Sequence, residues 1–385
     1  MSPHALQEIA LVGVAESDLG KVPHKTAIQL AAEASREALE DAGLKKSDVD
    51  GLFTFGFGRM GAVQFGEYLQ IQPRYSDSSF MGGSTPVAFV AHAAAAISAG
   101  LCSVALVAYG STQASDGARR FGGQPEDPRL PGSQYERPFG LPLPLGPYAL
   151  AATRHMAVYG TTSEQLAEIA VATRRWAQLN PVAMMREPIT IQDVLNSRLI
   201  ASPLRLLDCC LVTDGGGAVV LTTRERAHDL KKPAVVILGA AETHTHQIIS
   251  QMPDLTVTGA ALTGPRAFQM AGIRHEDIDV AEIYDSFTIT VLLTLEDLGF
   301  CKKGEGGAFV VGQRTAPGGD FPLNTQGGGL SYCHPGVFGI FTLIEGVRQL
   351  RGECGPRQVR NARVALCHGT GGVLSSSGTA ILGNL

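Results

Sequence analysis

Apolar positions along this chain alternate between short unbroken runs and longer stretches spaced by three or four, a pattern that predicts strands alternating with helices. The run IALVGVA near the start reads as a strand, and the stretch from Thr26 to Ala42 places Ala27, Leu30, Ala31, Ala34, Ala38, Leu39 and Ala42 on one helical face. The same sentence of structure is written twice. A second run, AVVIL at 234–238, precedes a helix expected from Pro265 to Ala271. Gly13-Val14-Ala15-Glu16-Ser17 follows the first strand and Gly239-Ala240-Ala241-Glu242-Thr243 the second. Both helices end in Ala-Gly, at Gly43 and Gly272, where a glycine takes the left-handed cap conformation. Leu44-Lys45-Lys46-Ser47-Asp48-Val49-Asp50 then matches Ile273-Arg274-His275-Glu276-Asp277-Ile278-Asp279, and CSVALVAYGS at 102–111 corresponds to ARVALCHGTGG at 362–372. Two α/β halves follow, each with a mixed or parallel sheet covered by helices, stacked around a shared central helix layer.

The segment 110–147 interrupts this pattern with glycines, prolines and GLPLPLGP, and is too long for an ordinary connection; it reads as a functional covering loop. Helical stretches follow at 163–179, with Ser163 as the expected cap, and at 190–200. The expected organisation is therefore 1–109 with 214–230 as one half, 110–213 as an inserted loop and helical region over the active-site face, and 231–385 as the other half.

Composition narrows the function classes. At 385 residues the chain exceeds a single hydrophobic core and accommodates a duplication. Hydrophobic residues make up 44 % and charged residues 17 %, which favours extensive subunit burial over a free monomer. The net charge of -5, without a basic stripe, argues against nucleic acid as a partner. No apolar run reaches the ~18 residues of a membrane helix, and the start MSPHALQEIALVGVAESD turns acidic too early for a signal peptide, so the cytoplasm is expected. The seven cysteines have neither metal-ligand spacing nor a disulfide pattern, and no glycine-rich stretch has a phosphate-loop or dinucleotide-binding form; no metal site or intrinsic cofactor is expected.

Five blocks, in order, carry a resemblance: MGGSTPVAFVAHAAAAISAG (81–100), DGGGAVVL (214–221), EIYDSF (282–287), NTQGGGLSYCHPGVFG (324–339) and ALCHGTGG (365–372). Together they resemble the thiolase superfamily, specifically its lipid-transfer or sterol-carrier-type thiolase-like branch. The resemblance spans most of the chain and implies two similar halves in an αβαβα layered arrangement. It assigns His334 to the hole that polarises the thioester carbonyl, and Cys367 to the family's second cysteine, a general base near the substrate α carbon. ALCHGTGG departs from the usual Cys-x-Gly-Gly-Gly by placing His368 and Thr370 there, and EIYDSF departs by carrying Tyr284 where asparagine or histidine is usual. A phenol donates a hydrogen bond and moves a proton. Tyr332, two residues before His334, is a second candidate for the same cavity, whereas Asp285 is expected to order the loop.

A thiolase accepts its acyl group on a cysteine at the start of the alanine-rich helix, where the helix N-terminus favours the thiolate. Here Gly83 stands opposite that nucleophile, with Gly82 and Ser84 beside it, and Ser84 reads as a helix cap. Without an acyl acceptor, the surviving machinery suits retro-aldol cleavage of a β-hydroxyacyl-CoA, with Tyr284 and Tyr332 as the alcohol base and the acid that reprotonates the α carbon. This resembles the thiolase-like aldolases that shorten steroid side chains. That likeness implies coenzyme A as part of the substrate, a homodimer and a small DUF35 subunit with an OB-fold and zinc ribbon, any zinc being the partner's. The coenzyme A arm is expected within 110–213 and near 245–265. Two other readings stand beside it: acyl transfer through an unusual nucleophile, Ser84, Cys333 or Cys367, and a non-catalytic acyl-CoA-binding scaffold.

Overall fold

The computed structural model describes residues 3–116, 127–141 and 143–384, so 117–126 of the expected covering loop lie outside the described residues. Its strands are β1 (Ile9–Glu16), β2 (Gly51–Thr54), β3 (Tyr75–Asp77), β4 (Val104–Ser111), β5 (Leu199–Ala201), β6 (Leu204–Arg205), β7 (Gly215–Thr223), β8 (Val235–His244), β9 (Val280–Ile283), β10 (Val364–Gly371) and β11 (Ser376–Gly383). All but the β5-β6 hairpin join one mixed sheet in the order β3-β2-β4-β7-β1-β8-β11-β10-β9. Read outward from the middle, β1-β7-β4-β2-β3 and β8-β11-β10-β9 are the same arrangement, with an isolated bridge from Ala281 to Leu323 in the place of the tenth strand. The halves join through a short antiparallel pairing of Ala10 and Leu11 with Val236 and Val235. In each half the strands away from that joint pair in parallel, β2 with β3 and β4, and β9 with β10.

The duplication extends to local chemistry. Helix Ala27–Ala42 starts from a Thr26 cap whose side chain accepts from Gln29, and ends at Gly43 in the left-handed conformation; its counterpart Ala260–Ala271 ends likewise at Gly272. In the turns that follow, Asp48 accepts from the Lys45 N–H and Asp277 from the Arg274 N–H, both at 2.8 Å. The strand glycines have one reason in both copies. A Cβ on Gly13 would lie 2.0 Å from the Ala38 carbonyl oxygen, and one on Gly239 would lie 2.2 Å from that of Ala267, so each glycine lets an outer helix rest its backbone on the sheet.

Helices Thr85–Ser98 and Gly339–Arg351 form the central layer. They pack on each other and on strands of both halves, burying Val87, Phe89, Val90, Ile340, Phe341 and Ile344 with side chains of β7 and β11. With the two outer helices and the two sheet halves this gives five layers, α, β, α, β, α.

Several boundaries differ from the sequence reading. The Gly-x-Ala-Glu segments lie inside β1 and β8 instead of after them, because their glycines serve helix packing and not a turn. The second outer helix starts at Ala260, and Pro265 lies within it at the loss of one backbone hydrogen bond. Thr162, not Ser163, caps helix Ser163–Gln178, through a capping box with Gln165. The helix expected over 190–200 stops at Asn196, and Leu199–Ala201 becomes half of a small hairpin. Among the described residues no helix is long and apolar enough to cross a membrane.

Candidate active site

A cleft of about 740 Å³ opens where the turns leading into both central helices meet the ends of β9 and β10. Met81, Gly82 and Gly83 reach it from one turn and His334 and Gly336 from the other; Tyr284, Ser286 and Phe287 follow β9, and Thr370, Gly371 and Gly372 close β10. The inserted region adds Leu143, Pro144, Tyr148 and Cys210, and His244 at the end of β8, with His246 and Gln247 just beyond it, borders the cleft. Parallel pairing of β9 with β10 sets the register, and the Tyr284 N–H continues it by donating to the His368 carbonyl at 3.0 Å.

Tyr284 and His334 form the polar centre. The Tyr284 hydroxyl lies 2.7 Å from His334 Nε2 and 3.2 Å from the Gly336 carbonyl oxygen, and its one proton serves either acceptor. Both side chains are nearly enclosed, at 5 % and 1 % exposure, in a wall otherwise rich in glycine and apolar groups. In such surroundings a hydrogen bond is electrostatically stronger than in water, and a proton shared between phenol and imidazole is isolated from solvent.

The pair is held by the residue after Tyr284. Asp285 is fully buried and accepts from the Gly329 N–H at 2.5 Å and the Leu330 N–H at 3.1 Å, tying the Tyr284 segment to the wide helical turn Gly328–Tyr332 just before His334. Burial pushes its carboxyl up to about 7 even though both N–H groups favour the charged form. The His334 N–H donates to Thr213, and the Tyr109 hydroxyl donates to the Pro335 carbonyl at 2.7 Å, so the His-Pro-Gly turn is fixed from both sides. These contacts bear out the reading of Asp285 as a loop-ordering residue.

The turn opposite carries no nucleophile and has no room for one. A Cβ on Gly83 would fall 2.1 Å from Tyr284 Cε1 and 2.3 Å from the Thr370 carbonyl oxygen. The tyrosine ring occupies the volume a cysteine side chain at this turn would need. Ser84 is no substitute, and it is not the cap expected of it: its hydroxyl is buried 2.7 Å from that of Ser376, and Thr85 serves the turn by accepting from the Met81 N–H and donating to the Gly82 carbonyl.

Of the four expected site residues the structure brings together two. Tyr332 does not reach the cleft; it is 3 % exposed and borders a separate cavity of about 10 Å³ with Glu16, Asn180 and Arg348, where burial pushes its phenol well above the ordinary range. The spacing misled because residues 328–332 form a wide helical turn, so Tyr332 and His334 are not alternate residues of an extended strand. Cys367 lies on β10 facing the central helix, where its thiol donates to the Thr342 carbonyl at 3.2 Å; it is fully enclosed, off the cleft wall, and pushed well above the usual thiol range by burial. Cys333 is equally buried, and burial raises it too. His368 bonds to the Thr379 hydroxyl at 2.9 Å, and burial lowers its imidazole to about 3, which keeps it neutral. The reading of the sequence passed over Gln113, His244, Ser286 and Phe287, all on the cleft wall. A signal was present for Gln113, which comes two residues after the end of β4, on the edge where α/β sheets place their ligands.

An apolar annexe of about 210 Å³ shares Leu143, Pro144, Cys210 and Phe287 with the cleft and has Arg198 at its border. Among the described residues no group of three or more His, Cys, Asp or Glu side chains is arranged to hold a metal ion.

The duplicated α/β halves thus bring the starts of both central helices to one cleft. A family model described as thiolase C-terminal domain-like matches residues 241–384. The chain is 37 % identical over 358 residues to the 17-hydroxy-3-oxo-4-pregnene-20-carboxyl-CoA lyase of Mycobacterium tuberculosis, covering 90 % of this chain and 92 % of that one. It is 33 % identical to the acetyl-CoA acetyltransferase of Methanothermobacter thermautotrophicus, covering 97 % and 98 %. Among solved structures, an Ltp2-ChsH2(DUF35) aldolase superposes with a TM-score of 0.90 at 33 % identity over 98 % of each chain. The chain belongs to the thiolase superfamily.

Proposed function

We propose that this protein is a carbon-carbon lyase that cleaves a β-hydroxyacyl-CoA by retro-aldol chemistry, releasing an aldehyde or ketone and a shorter acyl-CoA, with no acyl-enzyme. The observation that carries this reading is the Gly83 turn, where Tyr284 and the Thr370 carbonyl fill the space of the thiolase nucleophile. A lyase and an aldolase stand among the relatives, and the lyase's name describes a hydroxylated acyl-CoA. The acetyltransferase relative keeps acyl transfer as the reading to be tested against.

In the proposed reaction the β-hydroxyl proton passes to the Tyr284 oxygen as the phenol proton moves to His334 Nε2, across the 2.7 Å hydrogen bond between them. The β carbon-oxygen bond becomes a carbonyl, the bond between α and β carbons breaks, and its electron pair collects on the thioester as an enolate. The thioester lies at the Gly82-Gly83 turn, where the positive end of helix Thr85–Ser98 favours the developing charge. The proton held by the pair then returns to the α carbon. No group is oxidised, and no bond to the protein forms.

The coenzyme A arm is proposed to run along the annexe toward Arg198, whose guanidinium suits a phosphate. A homodimer, with one small DUF35 subunit on each protomer, is the proposed assembly, and any zinc would be that subunit's. The DUF35 proposal draws support from the name of the superposed aldolase.

The test is to incubate the chain, with and without its co-purified partner, with a panel of β-hydroxyacyl-CoA thioesters. A carbonyl product and unmodified intact mass are expected. A stoichiometric acyl adduct, with exchange of labelled coenzyme A into acyl-CoA, would establish acyl transfer instead.

A further inference from the structure

The cleft wall carries a polar side chain that the reaction above leaves unused and whose enclosed oxygen has no partner among the described residues. Gln113 lines the cleft, and its Oε1 is enclosed without a hydrogen-bond partner. Its carboxamide lies flat on Gly336. A Cβ built on that glycine would be 2.9 Å from Nε2, 3.1 Å from Cδ and 3.1 Å from Oε1, three nearly equal distances that put the amide plane face-on to the turn. Gly336, at φ +96°, supplies both the space and the backbone conformation. Its carbonyl accepts from the Tyr284 hydroxyl, so Gln113 and Tyr284 address the same stretch of cleft from neighbouring sides of one residue.

The backbone around Gln113 is held more firmly than a surface turn requires. The Ala114 and Ser115 N–H groups donate to Asp214 Oδ1 at 2.8 and 2.9 Å, the Ser115 hydroxyl donates to the same carboxylate, and the Asp116 N–H closes the turn on the Thr112 carbonyl at 2.8 Å. Asp214 is fully buried and also accepts from the Val22 N–H at 2.7 Å. A rigid backbone thus presents a side-chain amide whose enclosed Oε1, an acceptor, has no donor among the described residues, at a cost of about 1–3 kcal/mol. The same amide brings an Nε2 donor to the cleft wall, and that N–H is the group it offers a ligand oxygen.

A β-hydroxyacyl thioester brings two oxygens into the cleft. If the thioester oxygen lies at the glycine turn and Tyr284 takes the β-hydroxyl proton, the β-oxygen needs a donor that holds it on Tyr284. We infer that Gln113 is the substrate-contacting residue that binds the β-oxygen, donating an amide N–H to it both as the hydroxyl of the substrate and as the carbonyl of the aldehyde or ketone product; this rests on the retro-aldol reading. That oxygen accepts a hydrogen bond in both forms, and a neutral donor suits both. A lysine or arginine there would favour the intervening alkoxide and hold back its collapse. Gln113 exchanges no proton in this role.

The experiment compares wild type, Gln113→Leu and Gln113→Glu in the full chain, using a β-hydroxyacyl-CoA that wild type cleaves and the matching saturated acyl-CoA, which has no β-oxygen. Gln113→Leu should lower kcat/KM by about 5- to 20-fold, the scale of one hydrogen bond, while its dissociation constant for the saturated thioester stays within about twofold of wild type. Gln113→Glu keeps the shape but places a carboxylate beside an oxygen that is losing its proton. Its activity should recover as pH falls and the carboxyl protonates, an acid-side rise absent from wild type and independent of any packing role. Wild-type kcat/KM in the leucine variant, equal weakening of both thioesters, or a wild-type pH profile for the glutamate variant would each remove Gln113 from substrate binding. The near-isosteric glutamate variant keeps the question decidable if leucine disturbs folding, with a thermal melt as control. Failure of wild type to release any carbonyl product would instead bring down the cleavage reading, and this inference with it.

Discussion

Two turns of this protein occupy equivalent places in its two halves, and they have gone opposite ways. Met81–Ser84 leads into central helix Thr85–Ser98 ahead of β4; His334–Phe338 leads into central helix Gly339–Arg351 ahead of β10. The first has no side chain at its two central positions, Gly82 and Gly83. A Cβ on Gly82 would lie 2.7 Å from the Gly372 nitrogen, and one on Gly83 would collide with Tyr284. The second keeps an imidazole, enclosed and hydrogen-bonded to that same tyrosine. Glycine at the turn and the phenol therefore go together: the ring arriving from the second half fills the volume that a side chain on Gly83 would need. The first half contributes backbone and a helix terminus, and the second contributes the titratable groups.

Removing the phenol should break this comparison most severely. Tyr284→Phe keeps the ring against Gly83 but deletes the hydroxyl, and should lower turnover on a β-hydroxyacyl-CoA by roughly 10² to 10⁴ with little change in coenzyme A affinity. His334→Ala should cost about 10² to 10³, within the range for loss of a group that takes up a proton in the reaction. If the two act as one relay, the double variant should lose little beyond the worse single variant, and steady-state kinetics of all three would show it. Full additivity would mean that the two groups work on separate atoms.

Refilling the emptied turn should come next. Gly83→Ala sets a methyl group against the tyrosine ring and the Thr370 carbonyl, an overpacking that typically costs about 1–3 kcal/mol. Turnover should fall with stability because the displaced ring is the proposed proton carrier. Removal of the ring by Tyr284→Ala should ease part of the stability loss, leaving the contact with the Thr370 carbonyl; denaturant melts of the four proteins measure that coupling. No easing would mean that the ring and the turn are not in competition for space.

How far the sequence disclosed this site depended on the kind of signal. Duplicated helix caps are local chemistry, and Gly43, Gly272, Asp48 and Asp277 did in three dimensions what their spacing implied. The missing nucleophile was legible as glycine in a helix-leading turn, but the reason for it was not, because Tyr284 lies some two hundred positions away and only the fold brings its ring to Gly83. Cys367 was named by position in a motif, yet strand alternation turns its thiol to the central helix while the wall of the cleft is made further along β10, from Thr370 onward. Gln113 follows a strand without any motif of its own, and an unpaired amide is a property of its surroundings that no residue spacing records.

The smallest expected effect is the one that separates the two tyrosines. Tyr332 lies off the cleft wall, ring edge-on to Phe341 at 6.0 Å, beside Glu16 and Arg348, which are paired at 2.7 Å. Burial, and then the nearby Glu16 charge, oppose ionisation of the phenol, so it is a poor proton carrier near neutral pH. Tyr332→Phe keeps the ring and its packing, and should change kcat by less than about threefold and stability by no more than about 1 kcal/mol. Tyr284→Phe, identical in chemistry and only 48 positions away, should lose roughly 10² to 10⁴ in turnover by the same assay. Measured side by side, the two phenylalanine variants read position alone. A loss of turnover in Tyr332→Phe approaching that of Tyr284→Phe, with an unchanged melting temperature, would place Tyr332 in the reaction and require the Gly328–Tyr332 turn to rearrange when substrate binds.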